Sequence, residues 1–527
     1  MQLFLNNTES SWYSFIESEG FLLDALPNKS LRQIHICYFE REFEEQIGGV
    51  YSRGDIIIAP KTIIKSKYKV KSKKIYNKFS SVDYSYVIDS INTNVNLSYI
   101  DEFDYGNGKI YSFDDHLDKK WGCSSQINRE IFIDSKTYFE KLCAVDKRNL
   151  RAYMRKILKL ATNSLEIPLI YIWKYPKLAS NVFNLRIDVD PERTQPEVSA
   201  IKRIEKTFEM SYPWIDSITF AINFYRRQPK YNFFKKYMDF GFDIQSHNFF
   251  HLHFPSSFLN RLNIKKAHQI ITDNGIEPTG FISPEYFWHN EISDIIEHYN
   301  YKFAGSFGFD YSNYPYRPFI DGKIRKYFEI SSDPMVYSKI LQNHNPKEIL
   351  SVYKSSIASS LKDISTPCFK YEHPAVLGGN NDIYRTIVAE GIKDSDVLPV
   401  KLSYFAKWLE ARNSLRKNVK FRGDSNSTSL RIFKEDGFDL SEFSIAYEKP
   451  YLNEVHLFDL KESLKNGFDL SVEKSAKIYK FSEQLNSQSK YNKKTLQINR
   501  YGLNTHSRKI LQGMNLLLKY RLNNFYL

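Results

Sequence analysis

Two pairs of residues in this chain have the types and spacing to do chemistry. His247 and His251 stand four residues apart at the end of a short alternating run, Phe242 to Ser246. Asp188 and Asp190 stand two apart at the end of another, Leu185-Arg186-Ile187-Asp188-Val189-Asp190. If the chain turns helical after Ser246, the i, i+4 spacing brings both imidazoles to one face. If Leu185 to Asp190 is a strand, period two points both carboxylates the same way. Two imidazoles and one carboxylate make a site for a divalent ion with an open position, and the second carboxylate is then available as a base. With 12 histidines in 527 residues, chance supplies about 0.3 such His pairs, so the argument needs the elements around them.

Those elements alternate. Ser217 to Asn223 reads as a strand, Phe242 to Ser246 as the next, Ser257 to Asn274 as a helix closed by Gly275, and Pro278 to Ile282 as a strand. Ile292 to Tyr299 follows as a helix and Lys302 to Ser306 as a strand, with Thr194 to Met210 a helix further upstream. Strands alternating with helices predict an α/β architecture with a parallel sheet, and ligands gathered from the ends of successive strands are what an α/β barrel supplies.

These motifs resemble those of the polysaccharide deacetylases (NodB-homology, carbohydrate esterase family 4). Ile187-Asp188-Val189-Asp190 is similar to the family's first motif, and His247-Asn248-Phe249-Phe250-His251 to its second, with Asn248 where Ser or Thr is usual. Phe281-Ile282-Ser283-Pro284-Glu285-Tyr286 is similar to the third, except that the family's Arg, which orients the catalytic Asp, aligns with Ile282 and no basic residue is close by in sequence to replace it. Cys368 to Pro374, with His373, resembles the last motif, and Val397 to Trp408 the closing strand and helix; for the fourth, Asp310 is the candidate. The resemblance covers about 180 to 415 and implies a distorted (β/α) barrel of deacetylase type. It implies Zn²⁺ or another divalent transition metal on Asp190, His247 and His251, with Asp188 as base, because the family's base precedes its ligand, and His373 as the acid for the departing amine. Substrate contacts would come from Ser283, Glu285, Tyr286 and Asp310. His253, two residues past His251, would leave the shared helical face and reads as a supporting or structural residue.

The expected activity is metal-assisted hydrolysis of N-acetyl groups on a sugar or polysaccharide. The alternatives are a barrel hydrolase of a small non-sugar amide, and a non-catalytic glycan- or membrane-binding protein on an inactivated barrel.

Beyond the barrel, 1–165 reads as an accessory α/β domain, with strands near Gln33 to Tyr38 and Asp55 to Pro60 and a basic helix from Lys147 to Thr162. Lys65-Ser66-Lys67-Tyr68-Lys69-Val70-Lys71-Ser72-Lys73 would, as a strand, set five lysines on one face, either a guarded edge or an anion-binding surface. Residues 416–527 read as a small β-rich region ending in a basic amphipathic helix; from Gln484 onward there is no Asp or Glu. Such a helix, on a chain of net charge +13, fits docking on an anionic membrane surface, while no nucleic-acid motif accompanies the charge. Cys37, Cys123, Cys143 and Cys368 are scattered without a Cys-x-x-Cys pair, which excludes a zinc ribbon or disulfide scaffold and makes them small buried hydrophobes. The N-terminus lacks the features of a signal peptide and no apolar run reaches 18 residues, so a cytoplasmic, membrane-peripheral enzyme acting on a glycan precursor is the expectation.

Overall fold

A computed structural model of the chain describes residues 2–23, 32–67, 73–76, 99–124, 126–133, 136–143, 145, 147–189, 212–224, 238–284, 288–306, 310, 314–332, 346–373, 381–424, 427–432, 439–462 and 475–480. The expected helices over 194–210 and in the last forty residues, and the candidates Asp190, Glu285 and Tyr286, lie outside them.

The N-terminal part is α/β, as expected. Strands β1 (Gln2–Leu5), β2 (Gln33–Ile36), β3 (Ile56–Pro60), β4 (Lys73–Tyr76), β5 (Tyr99–Tyr105) and β6 (Gly108–Phe113) form one sheet in the order β1-β2-β3-β6-β5-β4. The first four in that order are parallel and the rest antiparallel. Helices α1 (Ser11–Glu19), α2 (Glu40–Arg53) and α3 (Lys61–Lys67) accompany it. The lysine run is therefore no strand over 65–67. The helix that carries its start also carries Ile63 and Ile64, which are adjacent in sequence yet pack on one core, as helical spacing allows and a strand's alternation does not. Helix α4 (Leu117–Trp121) and the hairpin β7 (Gln126–Ile133)/β8 (Lys136–Cys143) lead into helix α5 (Lys147–Ser164), close to the basic helix anticipated. None of the four cysteines is in a disulfide, and Cys37, Cys143 and Cys368 are buried.

After β9 (Leu169–Ile172) comes the central sheet. Its strands are β10 (Asn181–Val189), β11 (Ile218–Ile222), β12 (Asp243–Ser246), β13 (Gly280–Ile282), β14 (Phe303–Gly305), then, past the hairpin β15 (Phe319–Ile320)/β16 (Lys323–Ile324), β17 (Phe328–Glu329), β18 (Cys368–Glu372) and β19 (Val397–Pro399). The order is β17-β14-β13-β12-β11-β10-β18, with β19 also on β10, and every pair in it is parallel. Helices α6 (Ser257–Asp273) and α7 (Asn290–His298) lie close to the two read above, and α8 (Pro346–Lys362), α9 (Asn381–Gly391) and α10 (Leu402–Asn418) join them. Gly275 takes φ +75° just after α6, as a helix-terminating glycine does. This is the distorted, open (β/α) barrel of the expected class.

Strand β10 explains how the barrel holds polar chemistry. All nine of its residues are buried, so both faces are covered. Phe183, Leu185, Ile187 and Val189 join one apolar cluster with Ile357 of α8 and Ile387 and Val388 of α9. The alternate residues Asn184, Arg186 and Asp188 point to the other side, into the barrel. Asn184 Nδ2 donates to Thr219 Oγ1 (3.1 Å) and to the Val400 carbonyl (2.8 Å), and Thr219 Oγ1 donates to Asp243 Oδ2 (2.8 Å). The lower barrel is thus stitched by a hydrogen-bonded polar layer, with Asp243 also accepting from Ser403 N at the start of α10.

The remaining strands are the hairpin β20 (Val419–Asp424)/β21 (Ser427–Ile432), then β22 (Ser444–Glu448), β23 (Glu454–Asp459) and β24 (Lys477–Lys480). The last three join β9 in an antiparallel sheet of order β24-β23-β22-β9. One continuous apolar cluster runs from Trp12 and Phe15 through Tyr153 and Trp173 to Phe281, Phe303, Trp408 and Ile445. The flanking parts therefore share a core with the barrel. Among the described residues no helix is long and apolar enough to cross a membrane.

Candidate functional site

Period two places the candidate residues. Asp188 is the last described inward residue of β10. On β12, Asp243 and Gln245 face inward, Asp243 bonding to Thr219, and His247 is the next position on that side. On β18, Tyr371 pairs with Arg186 across the sheet, and His373 is two residues on. Asp188, His247 and His373 thus meet at the carboxyl ends of three parallel strands, where this architecture places its ligands.

Asp188 is fully buried. Its two oxygens accept from Arg186, Nε to Oδ1 at 2.7 Å and Nη2 to Oδ2 at 3.0 Å. Burial pushes the Asp188 carboxyl up, but the Arg186 charge, with His247 and His373 nearby, outweighs it and holds the group below the ordinary carboxylate range. Arg186 is itself fully buried, with its guanidinium 5.1 Å from the centroid of the Tyr371 ring. The sequence reading missed this residue by looking for a basic group around Ile282. The signal was the i, i+2 spacing of Arg186 and Asp188 on one strand.

His247 is buried, and its Nδ1 lies 3.0 Å from the Ile282 carbonyl oxygen. Only an Nδ1–H satisfies that carbonyl, so Nε2 carries the lone pair, the arrangement of a metal-ligating histidine. His247 Nε2 and His251 Nε2 are 2.9 Å apart, a hydrogen bond in which His251 Nε2–H donates to that lone pair. With the His251 proton on Nδ1 instead, both nitrogens would turn lone pairs toward a shared cation. The helical turn expected to bring them together is absent, and 247–254 is a bent, non-helical segment. Asn248, in the left-handed region at φ +70°, turns the chain where helix would otherwise begin. Asparagine tolerates that conformation better than Ser or Thr, which accounts for it at this position.

Three further asparagines hold the bend, and the sequence reading missed all of them. Asn223 Nδ2 donates to the His247 and Asn248 carbonyls, each at 3.2 Å. Asn263 Oδ1 accepts from Phe250 N at 2.7 Å, and Asn260 Oδ1 from Phe254 N at 2.7 Å. Asn260 and Asn263 are i, i+3 on α6 and both fully buried; buried amides on an apolar helix face were the available clue.

Of the other candidates, Ser283 is buried just past β13, its Oγ 2.7 Å from His253 Nε2. His253 is thus tied to the segment after β13, and burial with His289, His251 and His247 nearby pushes its imidazole down to about 3. Asp310 follows β14, fully buried, with Oδ2 3.6 Å from Arg151 Nη2 of α5. Beside it lies Glu329 of β17, whose Oε1 accepts from Ser306 N at 2.6 Å. Burial and Asp310 push that carboxyl well up. Among the described residues no three His, Cys, Asp or Glu side chains are gathered for a metal ion; the third ligand anticipated, Asp190, is outside them. The donor set present, two convergent imidazoles with one tautomer fixed by a carbonyl, fits a divalent metal.

No protein-family model matches the chain, and no curated protein matches it. Solved structures do match. One is a protein of Mycobacterium smegmatis described as a polysaccharide deacetylase, at 14% identity over 45% of this chain and 93% of that one, with a TM-score of 0.38. Another is the allantoinase Puue, at 12% identity over 45% and 92%, with a TM-score of 0.37. A third is the chitin deacetylase of the fungal pathogen Colletotrichum lindemuthianum, at 10% identity over 43% and 87%, with a TM-score of 0.29. Polysaccharide deacetylases are named among these matches.

Proposed function

We propose that this protein is a metal-dependent hydrolase that removes N-acetyl groups from a carbohydrate, a surface polysaccharide or its precursor. The convergence of Asp188, His247, His251 and His373 at the carboxyl end of the barrel supports this reading above all. Zn²⁺ or another divalent transition metal on Asp190, His247 and His251 would supply Lewis-acid polarisation of the amide carbonyl and acidify water. Asp188, kept ionised at neutral pH, takes the proton of the attacking water as its oxygen adds to the acetyl carbon. His373 gives a proton to the nitrogen as the C–N bond breaks, leaving acetate and a free amine. Ser283, Glu285 and Tyr286 after β13, and Asp310 after β14, would meet the sugar.

The test is metal content by mass spectrometry with acetate release from N-acetylglucosamine oligomers, for wild type and His247→Ala/His251→Ala. Near-stoichiometric metal and acetate release, both lost in the double variant, are expected. A wild type that takes up no metal after incubation with Zn²⁺ or Co²⁺ refutes the hydrolase. Metal uptake without acetate release from any N-acetylated sugar would leave a glycan-binding protein.

A further inference from the structure

The residue that would orient Asp188 from β13 is Ile282, an aliphatic side chain with no hydrogen bond to give. A base whose carboxylate is free to rotate loses the alignment on which proton transfer depends. We propose that Arg186 is the positioning residue for Asp188, working from the base's own strand in the place left by Ile282. This deepens the deacetylase reading and rests on it.

Four observations carry the inference. Both guanidinium bonds go to different oxygens of one carboxylate, so the two planes are locked together. Both side chains are wholly buried, where an ion pair contributes little net stability over apolar residues of the same size. Its presence at the barrel mouth therefore calls for a role other than stability. On one flank the guanidinium lies against the Tyr371 ring. On the other it reaches Gly305, the last residue of β14. A Cβ there would stand 3.1 Å from Arg186 Nη1 and also 3.1 Å from Ile282 Cδ1. The guanidinium and the Ile282 side chain thus flank the same point, and a glycine at 305 leaves that point open.

The experiment measures metal content, kcat and KM for acetate release from N-acetylglucosamine oligomers on the full chain. The variants are Arg186→Met, Arg186→Lys, and Arg186→Met/Ile282→Arg. Arg186→Met should keep its metal and its KM while kcat falls about 100-fold or more, the range for general-base catalysis. Arg186→Lys should fall between, since lysine cannot make the bidentate contact. Ile282→Arg added to Arg186→Met should recover about tenfold in kcat, because its guanidinium enters the same space. If Arg186→Met does not fold, Gly305→Ala takes its place: the methyl crowds Nη1, and kcat should fall with metal retained. A kcat within about threefold of wild type in Arg186→Met, or in Gly305→Ala where that variant stands in for it, overturns the inference. So does loss of the metal together with activity, which marks Arg186 as merely structural. A wild type that binds metal but releases no acetate overturns the deacetylase reading, and this inference with it.

Discussion

Substituting Glu448 by Gln should destabilise the entire protein. Glu448, on β22, is buried at 2% exposure. Its Oε1 accepts from the Tyr171 hydroxyl of β9 at 2.6 Å and pairs with Arg155 Nη2 of α5, and its Oε2 is 3.2 Å from Lys159 Nζ. Arg155 Nη1 turns the other way and meets Glu19 of α1 at 2.6 Å. A few ångströms on, Arg412 of α10 donates to the Ser18 and Ile172 carbonyls, and Tyr314 donates to the same Ser18 carbonyl. The N-terminal unit, the C-terminal sheet and the barrel therefore meet at one buried ionic hub.

In Glu448→Gln the new amide keeps the shape and the tyrosine bond but leaves Arg155 and Lys159 with no carboxylate between them. Breaking one side of a buried ion pair costs about 3–5 kcal/mol, far more than the pair is worth when both partners are replaced. Arg155→Met/Glu448→Met should not recover the loss, because Glu19 then lacks Arg155 and Lys159 lacks its carboxylate. The assay is urea unfolding followed by far-UV dichroism and by tryptophan fluorescence, the latter reporting on Trp12, Trp121, Trp173 and Trp408 from all three parts. Coincident curves, shifted together in Glu448→Gln, are expected. A shift under about 1 kcal/mol, or two transitions with the one of the barrel unmoved, would refute the view that the flanking parts and the barrel fold as one unit.

Other predictions concern single sites. Burial pushes His35 down to about 4 from 6.5, so the folded protein holds it neutral and unfolding takes up a proton below pH 6.5. Stability should fall by about 3 kcal/mol as pH drops from 6.5 to 4, and His35→Gln should flatten that slope in denaturant titrations at pH 7 and 4.5. At Asn248, φ +70° makes Asn248→Gly close to neutral, whereas Asn248→Val should cost about 1–2 kcal/mol and weaken Zn²⁺ uptake, read by urea unfolding and metal analysis. Zn²⁺ at 100 times its Kd should raise stability by about 2.7 kcal/mol in the wild type, and a thermal shift surviving in His247→Ala would place the metal elsewhere.

What the sequence made legible was whatever has a short period. The alternation in β10 put Asp188 on one side of its strand together with Asp190, because one strand suffices to set that pattern; which side is the barrel's came only with the neighbouring strands. The His-x-x-x-His spacing identified His247 and His251 as partners but for the wrong local geometry: a helical turn and a bend with one left-handed residue can bring positions i and i+4 together equally well. The lysine run misled because its charges were read without Ile63 and Ile64, whose packing decides the conformation.

The rest was hidden because it depends on which strands become neighbours. Nothing local says that Leu169–Ile172 pairs with Ile445–Glu448, or that Tyr171 and Glu448, 277 residues apart, share a hydrogen bond. Arg186 lies between these cases. Its partner is two residues away, so the pair was readable; what was not is that β14 ends in a glycine directly beside Ile282, since that needs the register Ile282 to Gly305. Loss of an orienting group on one strand can be made good from another when both point into the same barrel, and a motif read along a single strand cannot register the exchange. An apolar residue at a motif position is therefore a sign of inactivation only once every inward-facing residue around the barrel has been accounted for.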